Sequence, residues 1–508
     1  VYVGESSKFT MTGGEISGNT ATKNGGGVYV DGTYGVLTVS GAPKITGNTA
    51  SNVLLSNNYK TITIGEGGLN SDAKIGVTVQ SFPTTKASPV QFPAAGTDVT
   101  LTRTDANAFF IDNNTDNTYS VQLIDNKLYV YYGDLHRHPI CGDVSCTDSS
   151  HQADVDWTGV STLTNSMAAG YYYLTQNIEI SNTWMPADGV YLCLNGYSIR
   201  TTQDLNTIKV GSAFTLTDCN SSKGTYHFSD TDGRWLLNAT GEQEVTGGVI
   251  THGETNSGAA VNVNGGTFTM YGGTICGNSD GNGGGVYVSA GTFNMHGGAT
   301  TGNKANYGAG VYVDSSGTFT MDGGVISYNT AVSGNGGGVY AAGSFDASGS
   351  ACITDNTAGN GGGVYAVTGD KVTMTGNVSI ADNTAGNGGG VCVNGGKLTV
   401  SGSASITGNK ATSSGGGISA GDLAVSDSVK ITGNTAKLYG GGVNVVNGSF
   451  TMSGGSITGN SVTDTRTNFG DGGGVFVYGT NGSFTMTGGE ITGNSATNRG
   501  GGVLMLNT

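Results

Sequence analysis

A glycine-rich triplet followed by a short apolar strand recurs ten times between residues 258 and 508. The repeats begin 25 to 32 residues apart and share the phrases Gly-Gly-Gly-Val-Tyr-Val, Phe-Thr-Met-x-Gly-Gly and Ile-Thr-Gly-Asn-x-Ala. A period of this length indicates that one small unit is stacked on copies of itself. The sequence predicts an all-β fold, a right-handed parallel β-helix with three strands in each coil of about 27 residues. Its hand follows from the rule for parallel crossovers.

The alternation along each predicted strand identifies the interior of this helix. Val286 and Val288 point inward if Tyr287 points outward, and Phe268 and Met270 do the same around Thr269. An Asn follows the same Gly in coil after coil, and an amide carries both donors and an acceptor, so its copies can bond one another. The predicted buried ladder consists of Asn278, Asn303, Asn329, Asn356, Asn383, Asn409, Asn434, Asn460 and Asn494, with Asn19 and Asn48 in equivalent places.

The regularity of the repeats divides the chain into four parts. Residues 1–75 hold the C-terminal coils of a first β-helix. Residues 76–133 predict a small antiparallel β unit that caps it, with strands at the alternating runs Val99–Thr102, Tyr119–Leu123 and Lys127–Tyr131. Residues 134–156 form a linker with His and Cys that caps a second β-helix, residues 157–508, whose coils are irregular to about residue 257 and regular over 258–508. The chain begins and ends within a repeat. We therefore expect a segment of a longer protein, continued by further repeats or by end-to-end neighbours.

Composition narrows the range of partners. The formal net charge is −15 and only 11% of residues are charged. Nucleic-acid binding is not expected, because phosphate contacts need clusters of Lys and Arg. No membrane span is expected either, because no run of about 18 apolar residues occurs.

Two sets of motifs resemble known protein families. The phrases Gly-Gly-Gly-Val-Tyr-Val and Ile-Thr-Gly-Asn-Thr-Ala are similar to the paired motifs of polymorphic outer-membrane autotransporter passengers, which are surface adhesins. The chain more closely resembles the pectin-lyase-like β-helix repeats of very large surface proteins from Gram-positive bacteria. In those proteins a segment like His136–Gly142 precedes each helix, and a phrase like Cys193–Ile199 begins it. The resemblance implies an extracellular location, at a bacterial cell surface.

The resemblance is specific for architecture, and β-helices serve several functions. We expect a stalk or adhesin that binds carbohydrate, or a protein of a host or neighbouring cell, through its lateral surface. One alternative is a structural spacer or fibre without a ligand. Another is a polysaccharide-active enzyme, which would need paired carboxylates on adjacent coils. The outward positions of the valine strand carry no charged residue, so the sequence predicts no enzyme and no catalytic residue.

A row of tyrosines is the first candidate binding feature. The outward residue of the valine strand is Tyr287, Tyr312, Tyr340 and Tyr365 in successive coils, about 4.8 Å apart by strand spacing. Such a row can offer a platform for sugar rings or partner surfaces. It can equally stabilise the coil by stacking on its own copies. The sequence leaves both interpretations open.

Histidines and cysteines form the second candidate site. His136, His138, Cys141, Cys146 and His151 fall within sixteen residues. They can form a structural zinc site or a Cys141–Cys146 disulfide, or do neither.

Two further features bear on cofactors. Calcium is the second cofactor that the sequence allows, because several turns are rich in Asp. The sequence predicts no definite cofactor. Cys193 and Cys219 lie 26 residues apart, about one coil, so we expect them to be neighbours, either as a disulfide or as two thiols.

Overall fold

The computed structural model describes most of the 508 residues. Outside the described residues lie 32–33, 57–61, 80, 85–88, 97, 113, 115–118, 125, 133–135, 143–150, 152–154, 221–224, 230–233, 238–243, 253–256, 368–371, 467–468 and 507–508. The chain forms two compact units, Val1–Arg137 with Val144–Asp156, and His138–Asp143 with Trp157–Thr508. Strands of successive coils pair in parallel, which confirms the predicted all-β parallel β-helix.

The first unit contains two sheets in which neighbouring coils stack in register, for example Tyr29 opposite Leu54 and Ile16 opposite Ile45. Seven strands form one sheet: Tyr2–Val3, Val28–Val30, Val53–Leu55, Lys74–Thr78, Lys44–Thr46, Glu15–Ser17 and Phe109–Ile111. Six form the other: Tyr119–Ile124, Lys127–Tyr132, Val90–Ala95, Ile62–Leu69, Val36–Gly41 and Lys8–Met11.

The strands of the cap expected within residues 76–133 pair directly with strands of these two sheets. Val90–Ala95 pairs in parallel with Ile62–Leu69 on one side and antiparallel with Lys127–Tyr132 on the other. Lys127–Tyr132 also forms an antiparallel hairpin with Tyr119–Ile124, as the alternating sequence predicts. The cap therefore converts the parallel sheet into an antiparallel edge.

One predicted strand of the cap is wrong. The alternating run Val99–Thr102 is not a strand, and the five-residue helix Arg103–Asn107 follows it. Thr102 and Asp105 form a capping box in which the Asp105 carboxylate accepts from the Thr102 N–H at 2.7 Å. This local capping signal outweighs the alternation. Among the described residues no helix is long and apolar enough to cross a membrane.

Irregular coils begin the second unit, as predicted. Strands Ile208–Val210 and Ala213–Thr217 already pair with the first regular coil. A small antiparallel sheet of Thr225–Ser229, Arg234–Leu237 and Glu244–Thr246 is inserted here, which the sequence did not predict. The remaining strands are His136–His138, Val155–Val160, Gly170–Leu174, Ile178–Ile180, Val190–Cys193, Ser198–Thr201 and Val249–His252.

Three long parallel ladders form the regular coils. The valine ladder consists of Val261–Met270, Val286–Met295, Val311–Val313, Val339–Ala341, Val364–Ala366, Val391–Val393, Ile418–Ala420, Val443–Val446, Val475–Tyr478 and Val503–Leu506. The first two strands bend into the methionine ladder, which continues with Gly317–Met321, Ser344–Ala347, Val372–Met374, Lys397–Val400, Asp422–Val425, Ser449–Thr458 and Ser483–Thr492. The last two of these also end the isoleucine ladder, which begins with Thr274–Cys276, Ala299–Thr301, Val325–Ser327, Cys352–Thr354, Ser379–Ala381, Ser405–Thr407 and Lys430–Thr432.

A fourth, shorter ladder adds to the three predicted strands of each coil. It follows the Asn that recurs in each coil, and in most coils it buries one small residue, such as Ala385 or Ala411. Strands of two to four residues give too short a pattern to be recognised in the sequence. Its strands are Ser279–Asn282, Lys304–Tyr307, Thr330–Ala331, Thr384–Ala385, Lys410–Ala411, Thr435–Ala436 and Ser461–Val462.

The Asn ladder is confirmed, and its members from Asn278 through Asn460 are buried, whereas Asn494 and Asn48 are only partly buried and Asn19 is exposed. The side-chain amide of each Asn donates to the side-chain oxygen of the next, at 2.8 to 3.0 Å from Asn278 through Asn494. The glycines beside it leave no room for a side chain, since a Cβ on Gly363 would lie 2.7 Å from the Gly390 oxygen. Inward valines, methionines and phenylalanines fill the rest of the core, and the rings of Phe268 and Phe293 stack at 4.9 Å.

Candidate functional site: a groove on the valine ladder

The predicted row of tyrosines is present, and its rings cover one another. Tyr340 lies between Tyr312, with ring centroids 4.8 Å apart and planes at 4°, and Tyr365, at 5.3 Å and 19°. Tyr287 meets Tyr312 edge-on at 5.3 Å. The faces of the middle rings are therefore used for stacking within the row. This geometry favours the stabilising interpretation for Tyr312 and Tyr340.

The row ends where small residues replace the rings. After Tyr365 the outward residue of the valine ladder becomes Cys392, then Ser419, then Asn444, before Phe476 restores an aromatic ring. The gap between the two rings spans four coil steps, about 19 Å at strand spacing. Because the backbone continues unchanged, the missing rings leave a groove of about 1030 Å³.

The floor of this groove is polar and held in place. The Asn444 amide donates to the Ser419 hydroxyl at 3.2 Å, and Asn444 is buried. Cys392 is also buried, and burial raises the pKa of its thiol to about 12. At neutral pH the floor thus presents hydroxyl, amide and neutral thiol groups.

One wall of the groove is a second row of polar residues, placed just before the glycine triplets. Asn360 pairs with Asn387 across neighbouring coils, and the Asn387 amide donates to the Asn360 oxygen at 2.9 Å. Ser414, Tyr439 and Asp471 continue this wall in the following coils. Tyr439 stacks on Phe476, with ring centroids 4.7 Å apart and planes at 15°.

The charged groups of the groove are already engaged. The Asp471 carboxylate is buried and accepts from Arg499, with the closest Nη2–Oδ2 distance at 2.7 Å, and from the Asn498 amide at 2.9 Å. Asp422, on the opposite wall, accepts from the Ser449 N–H at 2.6 Å and its hydroxyl at 2.7 Å. These bonds lower the pKa of Asp422, so its carboxylate is ionised at neutral pH.

The tyrosine row has altered acidity for a different reason. Burial among neighbouring rings, with the Tyr340 phenol as the next contribution, raises the pKa of Tyr312 to about 12. Burial likewise raises the pKa values of Tyr287, Tyr340 and Tyr365 above their usual range. The row therefore presents neutral phenols over the physiological range.

The predicted His and Cys residues are only partly brought together. His138 is buried and stacks on Trp157 at 4.4 Å. His136 begins the strand that ends at His138, Cys141 lies in the turn after it, and Cys146 lies outside the described residues. His151 is partly buried near a strand that begins at Val155. A metal or disulfide within this set remains a prediction.

Cys193 and Cys219 are neighbours, as their spacing predicts. Their sulfur atoms lie 3.3 Å apart, and burial raises the pKa of Cys193 well above its usual range. Asp218, beside them, accepts from the Gly196 and Gly248 N–H groups, both at 2.7 Å. Burial is the main reason that the pKa of Asp218 is raised.

The sequence contained the signal for the groove, although the prediction missed it. The outward residues of the valine ladder change from Tyr to Cys, Ser and Asn and back to Phe, and that order can be read directly. The wall residues carry a weaker signal, because they lie in turns of varying length. Asp471 and Arg499 are 28 residues apart and are recognisable as partners only in the folded coil.

Fold and groove together define a parallel β-helix protein with an open lateral groove. Searches of protein-family models, of curated proteins and of solved structures found no match to this chain.

Proposed function

We propose that the second unit is the binding part of an extracellular, pectin-lyase-like adhesin or stalk that holds a neutral oligosaccharide in the groove between Tyr365 and Phe476. The observation that carries the proposal is the interruption of the tyrosine row by Cys392, Ser419 and Asn444. The bacterial cell-surface location rests on the resemblance of the repeat motifs.

The groove lining complements the chemistry of a sugar chain. Tyr365 and Phe476 are buried and bound the two ends of the groove, and the partly exposed ring of Tyr439 provides apolar surface for the C–H face of a sugar ring. Amides such as Asn394 and Asn447 carry both donors and acceptors for hydroxyl groups. A few polar groups on a largely fixed concave surface are typical of small-ligand sites. The length of the groove suits several sugar rings in a row.

Two features favour binding over cleavage of such a ligand. A general acid for glycoside hydrolysis needs a raised pKa, whereas hydrogen bonds from Ser449 lower the pKa of Asp422. Asp471 is covered and committed to Arg499 and Asn498. A paired acid and base is therefore not supported by these two carboxylates, and the proposed function is not enzymatic.

The test is glycan-array binding by the full chain and two variants, followed by titration of each glycan that binds. Ser419→Tyr places a ring in the middle of the groove, in a strand position that accepts Tyr in four other coils. We expect it to weaken binding at least about tenfold, because the ring occupies the ligand volume. Tyr287→Ala is the matched control at the far end of the tyrosine row, and it should bind as well as the unmodified chain.

The outcomes separate the groove from its alternatives. All three proteins must first show the same β-sheet circular dichroism. Retained binding by Ser419→Tyr with loss in Tyr287→Ala would move the site to the tyrosine row and overturn the proposal. Absence of binding by all three would reject it in favour of a structural spacer.

A further inference from the structure

Three side chains that are distant in sequence converge at the start of the second unit. One ligand atom each of His138, Cys193 and Cys219 lies within 4.8 Å of the others. Cys193 ends the strand Val190–Cys193, and Cys219 comes two residues after the strand Ala213–Thr217 of the next coil. Neither the groove nor the proposed glycan function uses this cluster.

The two cysteines are held by the coil backbone. Cys193 pairs with Thr217 across the sheet, and the Leu194 N–H donates to the Thr217 oxygen at 2.9 Å. The neighbouring Asp218 carboxylate ties the two adjacent turns together through Gly196 and Gly248. Both thiols therefore come from rigid positions, which is what a metal site requires of its ligands.

His138 has the orientation expected of a metal ligand. Its Nδ1 lies 2.7 Å from the Pro139 oxygen, and because a carbonyl can only accept, Nδ1 carries the hydrogen. The lone pair of the ring is then on Nε2. Metal-binding histidines are commonly fixed in this way, by donating the other ring N–H to a carbonyl. Stacking on Trp157, whose indole N–H donates to the His138 oxygen at 3.0 Å, fixes the ring plane.

We propose that His138, Cys193 and Cys219 bind a structural zinc ion. One imidazole and two thiolates are ligands that structural zinc sites commonly use, and a fourth ligand completes the tetrahedral coordination of the metal. Each thiol releases its proton to solvent as its Zn–S bond forms, so two thiolates balance the 2+ charge.

The sulfur separation supports metal over a disulfide. A disulfide needs about 2.05 Å between sulfurs, whereas two thiolates on tetrahedral zinc, with Zn–S bonds of about 2.3 Å, lie about 3.8 Å apart. The observed 3.3 Å is nearer the second value. Bound zinc would fasten the turn His138–Asp143 to the first coils of the second unit. It would thereby help to close the end of a core that repeat proteins must cap.

The experiment measures zinc in the purified full chain by elemental analysis, before and after saturation with zinc and removal of the excess. We expect one equivalent of tightly held metal. Replacement with Co²⁺ should give the thiolate-to-cobalt charge-transfer bands and intense visible bands of a tetrahedral site. Cys193→Ser and Cys219→Ser should each reduce zinc affinity at least about a hundredfold. The matched control Cys352→Ser, in a regular coil far along the chain, should leave zinc content and spectrum unchanged.

His138→Gln keeps a polar side chain at this position, so that a loss of metal binding can be separated from a loss of folding. It should fold, as judged by circular dichroism, and should weaken cobalt binding with a change in the visible bands. A chain lighter by two hydrogens, with a Cys193–Cys219 disulfide found by peptide mapping, would overturn the proposal. So would a reduced chain that takes up no zinc, or one whose uptake survives in both serine variants.

Discussion

Two stretches of the same β-helix differ in what they expose, although their interiors match. The tyrosine segment runs from Val286 to Ala366 and the groove segment from Val391 to Tyr478. Both bury the inward residues of the valine ladder and carry the same Asn ladder. Only the outward residue between two buried ones changes, from stacked Tyr to Cys, Ser or Asn.

This difference shows that core and surface are specified independently in such a coil. Side chains alternate across a strand, so one set of positions builds the helix and the other is free to vary. A groove can then be formed by the loss of three rings, with no register shift in the pairing of the valine ladder beneath it. Aromatic stacking stabilises the tyrosine segment, and the groove segment gives up that stabilisation.

Substitutions in the Asn ladder test whether the interiors of the two segments are equally stable, and we expect them to cause the greatest loss of stability. Asn356→Ala in the tyrosine segment removes the acceptor for the Asn329 N–H and side-chain amide, and the donor to Asn383. Asn409→Ala removes the same set of bonds in the groove segment. Each unsatisfied buried group costs about 1–3 kcal/mol, so each variant should lose about 4 kcal/mol of local stability.

Hydrogen exchange of the amides around each substitution measures that loss segment by segment. The matched control is Asn306→Ala, at an exposed position of the strand Lys304–Tyr307 in the tyrosine segment, which should change local stability by less than about 0.5 kcal/mol. Losses that differ by more than about 1 kcal/mol between Asn356→Ala and Asn409→Ala would show that the groove weakens the interior, contrary to the comparison.

A smaller effect concerns the stacking itself. Tyr340→Ser imitates the groove floor within the tyrosine row and removes three ring contacts, two stacked on Tyr312 and Tyr365 and one edge-on with Tyr307. Each pair contributes about 0.5–1.5 kcal/mol beyond the buried area, so we expect a loss of about 2 kcal/mol in unfolding free energy by urea denaturation. Tyr287→Ser, which removes one edge-on contact, should lose about half as much. Equal losses would mean that stacking is not what stabilises the row.

Much of this fold follows from the sequence because its signals repeat. The same pattern recurs at the coil spacing, as at Val286, Val311 and Val339, so a strand that is ambiguous in one coil is identified from its copy in the next. The Asn ladder is recognisable for the same reason. Elements that occur once lack this support. The run Val99–Thr102 was predicted to be a strand from alternation alone, and a capping box at Thr102 gives a loop and a helix instead.

The candidate sites were less predictable, for a physical reason. The groove depends on an absence of rings over three coils, which matters only once the register places Cys392, Ser419 and Asn444 side by side. The cysteine and histidine cluster joins His138 to Cys193 and Cys219 across 55 and 81 residues. Sequence spacing suggested Cys193 and Cys219 as neighbours, but no local pattern relates them to His138.

The two segments also differ in what raises the pKa of their outward side chains, and here we expect the least change in stability. The pKa of Tyr312 is about 12, raised by burial among rings, and the pKa of Cys392 is about 12, raised by burial in the coil. For Tyr312 the folded state holds the proton more tightly than the unfolded state, whose pKa is about 10. This contribution is complete below pH 10 and is lost as the pH rises to 12. Partial exposure of the ring keeps it below about 1 kcal/mol.

Phenolate absorbance, taken as the difference between the unmodified chain and Tyr312→Phe, isolates the ionisation of this residue. Tyr340→Ser uncovers one face of Tyr312, so it should move the Tyr312 pKa down toward 10, while the reactivity of Cys392 toward iodoacetamide at pH 8 should stay as low as before. The two responses differ because neighbouring rings cover Tyr312, whereas the coil itself covers Cys392. A Tyr312 transition that stays near pH 12 in Tyr340→Ser would show that something other than the neighbouring rings covers this row. Ring stacking would then not be what distinguishes the tyrosine segment from the groove segment.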